Sequence, residues 1–184
     1  ALAEHANEHT HQAPLSLHQC TECSLLQLGT SLNPSAIYNN AYPYFSSAIE
    51  SLVMRMQTQA EQIIAQLGLN KKSQVIEIAS NDGYCLQHFA EHGIPVLGIE
   101  PCAPHAALAE QRGITTQQEF FTLSLASRIL EDRGAADLVI ANNVIAHVSD
   151  PADFIAGVAA LLKPNGMAIF EFHSALAMLA TCQF

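Results

Sequence analysis

The stretch VIEIASNDGYCLQHFAEHGIPVLGIEP, residues 75–101, decides the fold. It begins in an apolar strand over 74–79, passes through a polar loop into a helix over 84–92, and ends in a second strand over 95–100. Two strands separated by one helix form a right-handed crossover, which places them parallel in the same sheet. The stretch therefore predicts an α/β fold.

The same alternation continues downstream. Strands are expected over 114–116, 136–142 and 167–172, and helices over 103–112, 122–132 and 150–162. Asp150 supplies a cap and Pro151 a first-turn residue for the last of these helices. We therefore expect a doubly wound, mostly parallel, Rossmann-like sheet.

A long amphipathic helix is predicted upstream of the first strand. Ser47 and Glu50 have the spacing of a capping box, apolar residues recur after them at helical intervals, and Gly68 is a natural stop. The predicted domain boundary lies just before this helix. Residues 1–45 form an arm with a partial zinc-binding module, and residues 46–184 form the Rossmann-like domain.

The segment PLSLHQCTECSLLQL, residues 14–28, alternates apolar and polar residues around Cys20 and Cys23, which predicts two short strands at a turn. A Cys-x-x-Cys pair is half of a tetrahedral zinc site, which needs two more thiolates or imidazoles. His18 or the histidines at 5, 9 and 11 are the candidates for the other half. The alternative is a pair of reduced cysteines without metal.

Composition excludes several classes of function. The formal net charge of −10 opposes general nucleic-acid binding, which depends on neutralising phosphates. No apolar run approaches the roughly 18 residues of a membrane span, and the N-terminus lacks a signal peptide, so we expect a soluble, cytoplasmic protein. Five scattered cysteines are an odd number, which disfavours a disulfide framework.

The polar loop at residues 79–83, Ala-Ser-Asn-Asp-Gly, follows the first strand of the sheet. Ligands of such sheets bind beyond the carboxyl ends of the strands. Small residues let the backbone approach a ligand, and the N–H groups at the following helix start can receive a carboxylate. The alternative is an ordinary strand-to-helix turn with an Asn-Asp-Gly bend.

Glu100 and Pro101 end the second strand, about 20 residues further on, where an acidic side chain reaches the hydroxyls of a ribose. A glutamate here can also be merely solvated, but the two features together favour a ribose-containing cofactor. A nicotinamide dinucleotide requires several glycines in the loop, which has only Gly83. The sequence therefore favours S-adenosylmethionine, whose cationic end suits an acidic loop.

Polar residues also follow the fourth strand. Asn142 and Asn143 are candidates for binding the methionine moiety, and His147 for facing the reacting methyl group or an acceptor. The alternative for His147 is a histidine that packs beneath the pocket. Phe120 is a candidate wall for the adenine, although paired phenylalanines usually belong to a core.

Two segments carry a resemblance to a known family. IASNDG, residues 78–83, and IANNVIAHV, residues 140–148, resemble the sugar C-methyltransferases, class I enzymes that methylate carbon 3 of keto deoxy nucleotide sugars. In this family a small zinc-binding domain precedes the methyltransferase domain. The match extends from about Pro14 to Phe184 and includes the Cys-x-x-Cys segment and GITTQQEFF, residues 113–121.

The resemblance implies a mechanism in which a base removes a proton beside a ketone and the enolate attacks the methyl group of the cofactor. It places Tyr42 and His147 at the active site. The positions it implies for the cofactor are Ser80, Asn81, Asp82, Gly83, Glu100 and Asn142.

Two departures from the family pattern lead us to expect a chain truncated at both ends. The upstream cysteine pair of the zinc module is missing, and the family's Tyr-His-Glu-His segment does not follow Phe184. Other readings stay open: a small-molecule O- or N-methyltransferase of the same fold, or a non-catalytic fragment that binds the cofactor. An uncovered edge at the fifth strand would also favour self-association.

Overall fold

A computed structural model describes residues 13–182 of the chain. Its centre is a five-stranded, wholly parallel sheet in the order β5-β4-β3-β6-β7. The strands are β3 Val75–Ile78, β4 Val96–Ile99, β5 Thr116–Gln117, β6 Ala136–Asn142 and β7 Leu162–Glu171, and a separate antiparallel hairpin contains β1 Leu17–Gln19 and β2 Leu26–Leu28. The strand order reverses between β3 and β6, as predicted for a doubly wound sheet.

Helices cover both faces of the sheet. They are α1 Pro34–Ile37, α2 Glu50–Leu67, α3 Leu86–Glu91, α4 Ala103–Gln111, α5 Leu123–Arg133, α6 Pro151–Leu161 and α7 Ala175–Thr181, with single 3-10 turns at Ser46–Ala48 and Ile145–His147. No helix within residues 13–182 is both long and apolar enough to cross a bilayer.

Each face of the sheet has its own apolar core. Met56 of α2 and Phe89 of α3 pack with Val75 of β3 on one face. Leu125 of α5 and Phe154 of α6 pack on the other. Because both faces of the sheet are covered, all four residues of β3 are buried. This explains why three of them are apolar instead of alternating with polar residues.

The capping box predicted at Ser47 is wrong. Helix α2 begins at Glu50 after Ile49, which makes no side-chain cap, because the Ser47 hydroxyl donates to Asp82 Oδ2 instead. The predicted stop is confirmed, since Gly68 adopts the left-handed conformation with φ of 63°.

Other boundaries differ modestly from the sequence prediction. The two short strands around Cys20 and Cys23 are present, and β6 has the predicted bounds. Strand β5 begins two residues later than expected, while β7 begins at Leu162, five residues early, with an irregularity in its pairing to β6. Helices α1 and α7 were not predicted.

Candidate active site

A pocket of about 700 Å³ opens beyond the carboxyl ends of β3, β4 and β6. This is the crevice at which a doubly wound sheet binds ligands. Nine of the residues proposed from the sequence line it: Tyr42, Ala79, Asn81, Glu100, Pro101, Phe120, Asn142, Asn143 and His147. Three others, Ser80, Asp82 and Gly83, lie behind the lining.

The loop at residues 79–83 has an alternating left-handed backbone. Ala79, Asn81 and Gly83 have φ values of 57°, 51° and 79°. Glycine is the residue that adopts this conformation without strain, and asparagine tolerates it. The loop therefore has three left-handed positions, as a glycine-rich turn can have, although it contains one glycine. The number of glycines in the sequence does not reveal this backbone.

The residues behind the loop allow it to lie close to its neighbours. A Cβ at Gly98 would come within 2.5 Å of the Ser80 hydroxyl, and a Cβ at Gly83 within 3.3 Å of the Ala109 methyl. Ser80 is wholly buried against β4. These residues set the position of the loop rather than forming the pocket surface.

Glu100 is held in place by backbone donors. The Asn81 N–H donates to Oε2 at 3.0 Å and the Cys102 N–H donates to Oε1 at 2.9 Å. Each carboxylate oxygen keeps further acceptor capacity, so the side chain can accept two more hydrogen bonds from the pocket. Burial and the Glu100 charge raise the pKa of Cys102 to about 12, which keeps that thiol neutral.

Asn81 joins the loop to the segment that precedes α2. Its Oδ1 accepts from the Ser46 N–H at 3.0 Å, and its Nδ2 donates to the Tyr44 carbonyl at 3.0 Å. The same carbonyl accepts from His105 Nε2, whose ring stacks on Phe45 with centroids 4.1 Å apart. Residues 44–46 thus close one side of the pocket.

Asp82 forms a buried ionic contact behind the pocket. Its carboxylate accepts from the Ser47 N–H and hydroxyl, and Arg112 Nη1 lies 3.4 Å from Oδ1. The same guanidinium donates to the Asp82 carbonyl and to the Ser47 hydroxyl. Arg112 was not predicted, because its pairing with Asp82 spans 30 residues and leaves no local signal.

An aromatic cluster forms the outer part of the pocket. The Tyr38 ring centroid lies 5.2 Å from that of Tyr42 and 6.1 Å from that of His147. Desolvation, with the nearby Cys102 sulfur, raises the pKa of Tyr42, which keeps its phenol protonated. Desolvation and the neighbouring His173 lower the pKa of His147, which lies at the pocket mouth with its ring partly withdrawn from solvent. The imidazole is therefore neutral at pH 7.

The two asparagines at the end of β6, Asn142 within the strand and Asn143 directly after it, differ in their contacts. Asn142 lines the pocket beside Tyr84, and its Nδ2 lies 3.9 Å from the Met56 sulfur. Asn143 is exposed, and its Nδ2 donates to Glu171 Oε1 at 2.8 Å. Phe120 lies at the rim and is 40% exposed, so it belongs to the pocket wall rather than to the core.

Glu77 is a buried acid that the sequence analysis did not single out. It is wholly buried in β3, and among residues 13–182 its carboxylate meets no hydrogen-bond donor other than the weak Cys85 thiol. Desolvation, with the charges of Glu100 and Asp82 adding to it, raises the pKa of Glu77 well above the ordinary carboxyl value. Burial in the folded chain therefore favours the protonated form of this side chain.

Cys20 and Cys23 lie at the turn of the hairpin formed by β1 and β2. Hydrogen bonds from the backbone of Cys23 and Glu22 lower the pKa of Cys20, as expected of a turn that favours a thiolate. Over residues 13–182, three potential ligand atoms lie within 4.8 Å of one another not here but at Glu100, Cys102 and His105. The histidines at 5, 9 and 11 lie outside the described residues.

Known proteins resemble the chain in sequence and in fold. The C-methyltransferase NovU of Streptomyces niveus is 30% identical over 171 residues, which cover 93% of this chain and 40% of that protein. A ubiquinone biosynthesis O-methyltransferase of Rhodopseudomonas palustris (strain BisA53) is 28% identical over 95 residues, covering 52% and 38%. DesVI of Streptomyces venezuelae superposes with a TM-score of 0.54 at 15% identity, covering 73% of this chain and 61% of that structure.

The chain spans about two fifths of the length of these sequence relatives. The superposition on DesVI confirms the Rossmann-like α/β fold. A family model described as a methyltransferase domain matches residues 52–180, from the first turn of α2 to the end of α7. This match covers well over half of the sequence, and the chain therefore belongs to the methyltransferase-domain family.

Proposed function

We propose that the chain binds S-adenosylmethionine in this pocket and forms the donor side of a methyltransferase. The single observation that carries the proposal is the placement of Glu100. Its carboxylate ends β4, is oriented by two backbone N–H groups, and keeps acceptor capacity toward the pocket. A carboxylate so placed suits the two hydroxyls of a ribose.

The charges around the pocket fit a cationic donor. Within the described residues no lysine or arginine lines it, and its carboxylates belong to Glu100, Glu119, Asp150 and Asp153. Arg128 neutralises Glu119 from outside. A sulfonium cation suits this environment, whereas the pyrophosphate of a nicotinamide dinucleotide would find no cationic side chain.

Each part of the donor has a proposed partner. The loop from Ala79 to Asn81 and Asn142 would hold the methionine end, while Pro101 and Phe120 would face the adenine. Ser80, Asp82 and Gly83 would act by fixing the loop from behind. Asn143, whose amide already donates to Glu171, would contribute through its backbone position. When bound, the cofactor supplies an electrophilic methyl group.

We further propose C-methylation of a keto deoxy nucleotide sugar as the reaction of the intact protein. A neutral His147 is suited to contact a substrate proton or hydroxyl, and the protonated Tyr42 phenol is suited to donate to an enolate oxygen. The 30% identity to the C-methyltransferase NovU supports carbon as the acceptor. The ubiquinone biosynthesis O-methyltransferases support the alternative of an oxygen acceptor.

We propose two roles for the N-terminal segment: it contributes side chains to the pocket, and it supplies half of a zinc site. Residues 1–45 would form the N-terminal arm with a partial zinc-binding module, and residues 46–184 the Rossmann-like domain; Tyr42 and Tyr44 of the first segment line the pocket. Cys20 and Cys23 would supply half of a zinc site. Cobalt titration of the reduced chain tests this: thiolate-to-metal absorption should appear, persist in Cys182→Ser and vanish in Cys20→Ser. Equal spectra from the two variants would disprove the assignment. The cytoplasmic location stays a prediction.

Calorimetric titration tests the donor site. S-adenosylmethionine should bind the chain, and Glu100→Ala should weaken binding about tenfold to hundredfold, because each hydrogen bond to a charged acceptor contributes about 1.5 kcal/mol or more. Glu131→Ala, which removes an exposed acid on α5, is the matched control. A folded chain that binds a nicotinamide dinucleotide instead, or neither ligand, would contradict the proposal.

A further inference from the structure

Three elements meet at the Glu171 side chain, at the end of β7. Arg55 Nη2, from α2, donates to Glu171 Oε1 at 3.0 Å and to Oε2 at 2.8 Å. Asn143, directly after β6, donates through Nδ2 to Oε1 at 2.8 Å. Its backbone N–H also donates to the Glu171 carbonyl at 2.6 Å. Glu171 therefore binds Asn143 through both its backbone and its side chain.

Asn143 is the residue at which the chain bends away from the sheet. Its φ of 52° is left-handed, a conformation that asparagine tolerates without being confined to it, so the contacts of its backbone and side chain decide whether it is kept. The 3-10 turn Ile145–His147 follows, closed by the His147 N–H donating to the Val144 carbonyl at 2.9 Å. The direction of this turn, and so the place of the His147 ring, depends on the conformation at Asn143.

We propose that Glu171, oriented by Arg55, is a positioning residue that holds Asn143 in its left-handed conformation and so fixes the His147 ring at the pocket mouth. The importance of this for catalysis rests on the proposed function of His147. The claim that Glu171 fixes the position of the His147 ring does not depend on that function, because it concerns the chain without any ligand.

The exposure of these groups distinguishes positioning from core stability. The Arg55 side chain is 56% exposed and that of Glu171 35% exposed, so neither belongs to the apolar core. An exposed ion pair contributes little to the free energy of unfolding. Removing the carboxylate should therefore leave the chain folded and the backbone hydrogen bond to the Glu171 carbonyl intact, while it removes the side-chain contact that orients Asn143.

The titration of His147 by NMR measures the position of its ring. His173, which lines the pocket two residues beyond Glu171, lowers the pKa of His147 and is replaced in a His173→Gln background. In that background Glu171→Ala should raise the pKa of His147 toward its ordinary value, because the freed ring gains solvent. Loss of the Glu171 negative charge alone, without movement of the ring, would lower the pKa of His147. The direction of the pKa change therefore distinguishes movement of the ring from loss of the charge.

The conservative variant completes the experiment. Glu171→Gln keeps an oxygen that can accept from Asn143 Nδ2, so it should retain the chemical shifts of the His147 ring and its contact with Tyr38. Arg133→Met, which removes an exposed guanidinium on α5, controls for general charge effects. Unchanged shifts and pKa of His147 in Glu171→Ala, with the chain folded by circular dichroism, would overturn the proposal. Failure of the chain to bind S-adenosylmethionine would count against the proposed function alone.

Discussion

At the scale of single residues, the loop after β3 adopts left-handed backbone conformations at positions that are not all glycine. Ala79 and Asn81 adopt left-handed φ values in a loop whose third left-handed position is Gly83. Asparagine tolerates this conformation, but alanine has no polar group to compensate for its Cβ. Ala79 is therefore the strained residue of the loop.

Ala79→Gly should stabilise the chain. Relief of the left-handed strain contributes about 1–2 kcal/mol, and the greater freedom of glycine in the unfolded chain offsets about 0.4–1 kcal/mol of it. Ala60→Gly is the matched control, because Ala60 lies buried within α2 and should lose about 1 kcal/mol or more. Urea unfolding measures both. Equal losses in the two variants would show that Ala79 is not strained.

Glu77 predicts a pH dependence of stability. Its folded pKa is raised, so the unfolded chain loses this proton at a lower pH than the folded chain does. Stability associated with Glu77 is therefore fully present below the unfolded pKa of about 4.3 and decreases as pH rises toward the folded value. Glu77→Gln keeps the shape and removes the titration.

The measurement is the free energy of unfolding of wild type and Glu77→Gln across pH. The two proteins should differ least below the unfolded pKa of about 4.3, and the stability of the variant relative to wild type should increase as pH rises above it. Glu61→Gln, at an exposed position on α2, should show no such divergence. Parallel curves for wild type and Glu77→Gln would mean that Glu77 is ionised in the folded chain.

Some residues of the site could be predicted from sequence and others could not. Glu100 and Asn142 follow strands, and the carboxyl ends of parallel strands meet at one edge of the sheet, so pattern alone brings them to the pocket. Tyr44 and Ser46 reach the loop across more than 30 residues through backbone groups, which carry no sequence signal. Tyr38 lies in a connection without periodicity.

At the scale of elements, local signals were reliable where tertiary contacts agreed with them. Gly68 ends α2, and Asp150 caps α6 with its side chain, as predicted. Ser47 has an equally good local signal, but its hydroxyl binds the buried Asp82. A buried carboxylate needs donors more than a helix end needs a cap, so the tertiary contact determines the outcome.

Arg112 joins α4 to the loop and to the start of α2. Arg112→Met should lower the free energy of unfolding by about 2 kcal/mol, because it leaves the buried Asp82 carboxylate without its cation. Removing one partner of a fully buried ion pair typically costs about 3–5 kcal/mol. The smaller value is expected here because the arginine side chain is partly exposed. Arg133→Met removes an exposed arginine and should cost under about 0.5 kcal/mol. Thermal or urea unfolding checks both values.

The double variant Arg112→Met/Asp82→Asn tests whether the unpaired Asp82 carboxylate causes this loss of stability. Removing the charge of Asp82 should recover part of the loss, since an amide is less costly to bury than an unpaired carboxylate. If the losses of the single variants simply add, the ionic contact is not what stabilises the loop.

At the scale of the whole molecule, the sheet has one long open edge. Within the described residues β7 is an outermost strand of ten residues that pairs with β6 alone. The neighbouring helix α7 exposes Leu176 and Leu179, whose side chains are 79% and 70% exposed. Unpaired backbone groups and exposed apolar side chains each favour association with a second chain.

Net charge opposes this pairing. The chain carries a formal charge of −10, and like charges on two copies repel over roughly 8–10 Å at moderate salt. Raising the salt concentration screens the repulsion and strengthens apolar contact. We therefore expect self-association of this chain to increase with both protein and salt concentration, and sedimentation velocity should show a growing dimer fraction between 50 mM and 500 mM salt.

Leu179→Glu places a charge on the exposed face of α7 and should keep the chain monomeric at every salt concentration. Leu130→Glu, at a partly exposed leucine of α5, is the control and should associate as wild type does. A wild-type chain that stays monomeric throughout would mean that charge and the twist of β7 protect the edge sufficiently. Association that falls with salt would instead point to an ionic interface, which the apolar surface of α7 cannot provide.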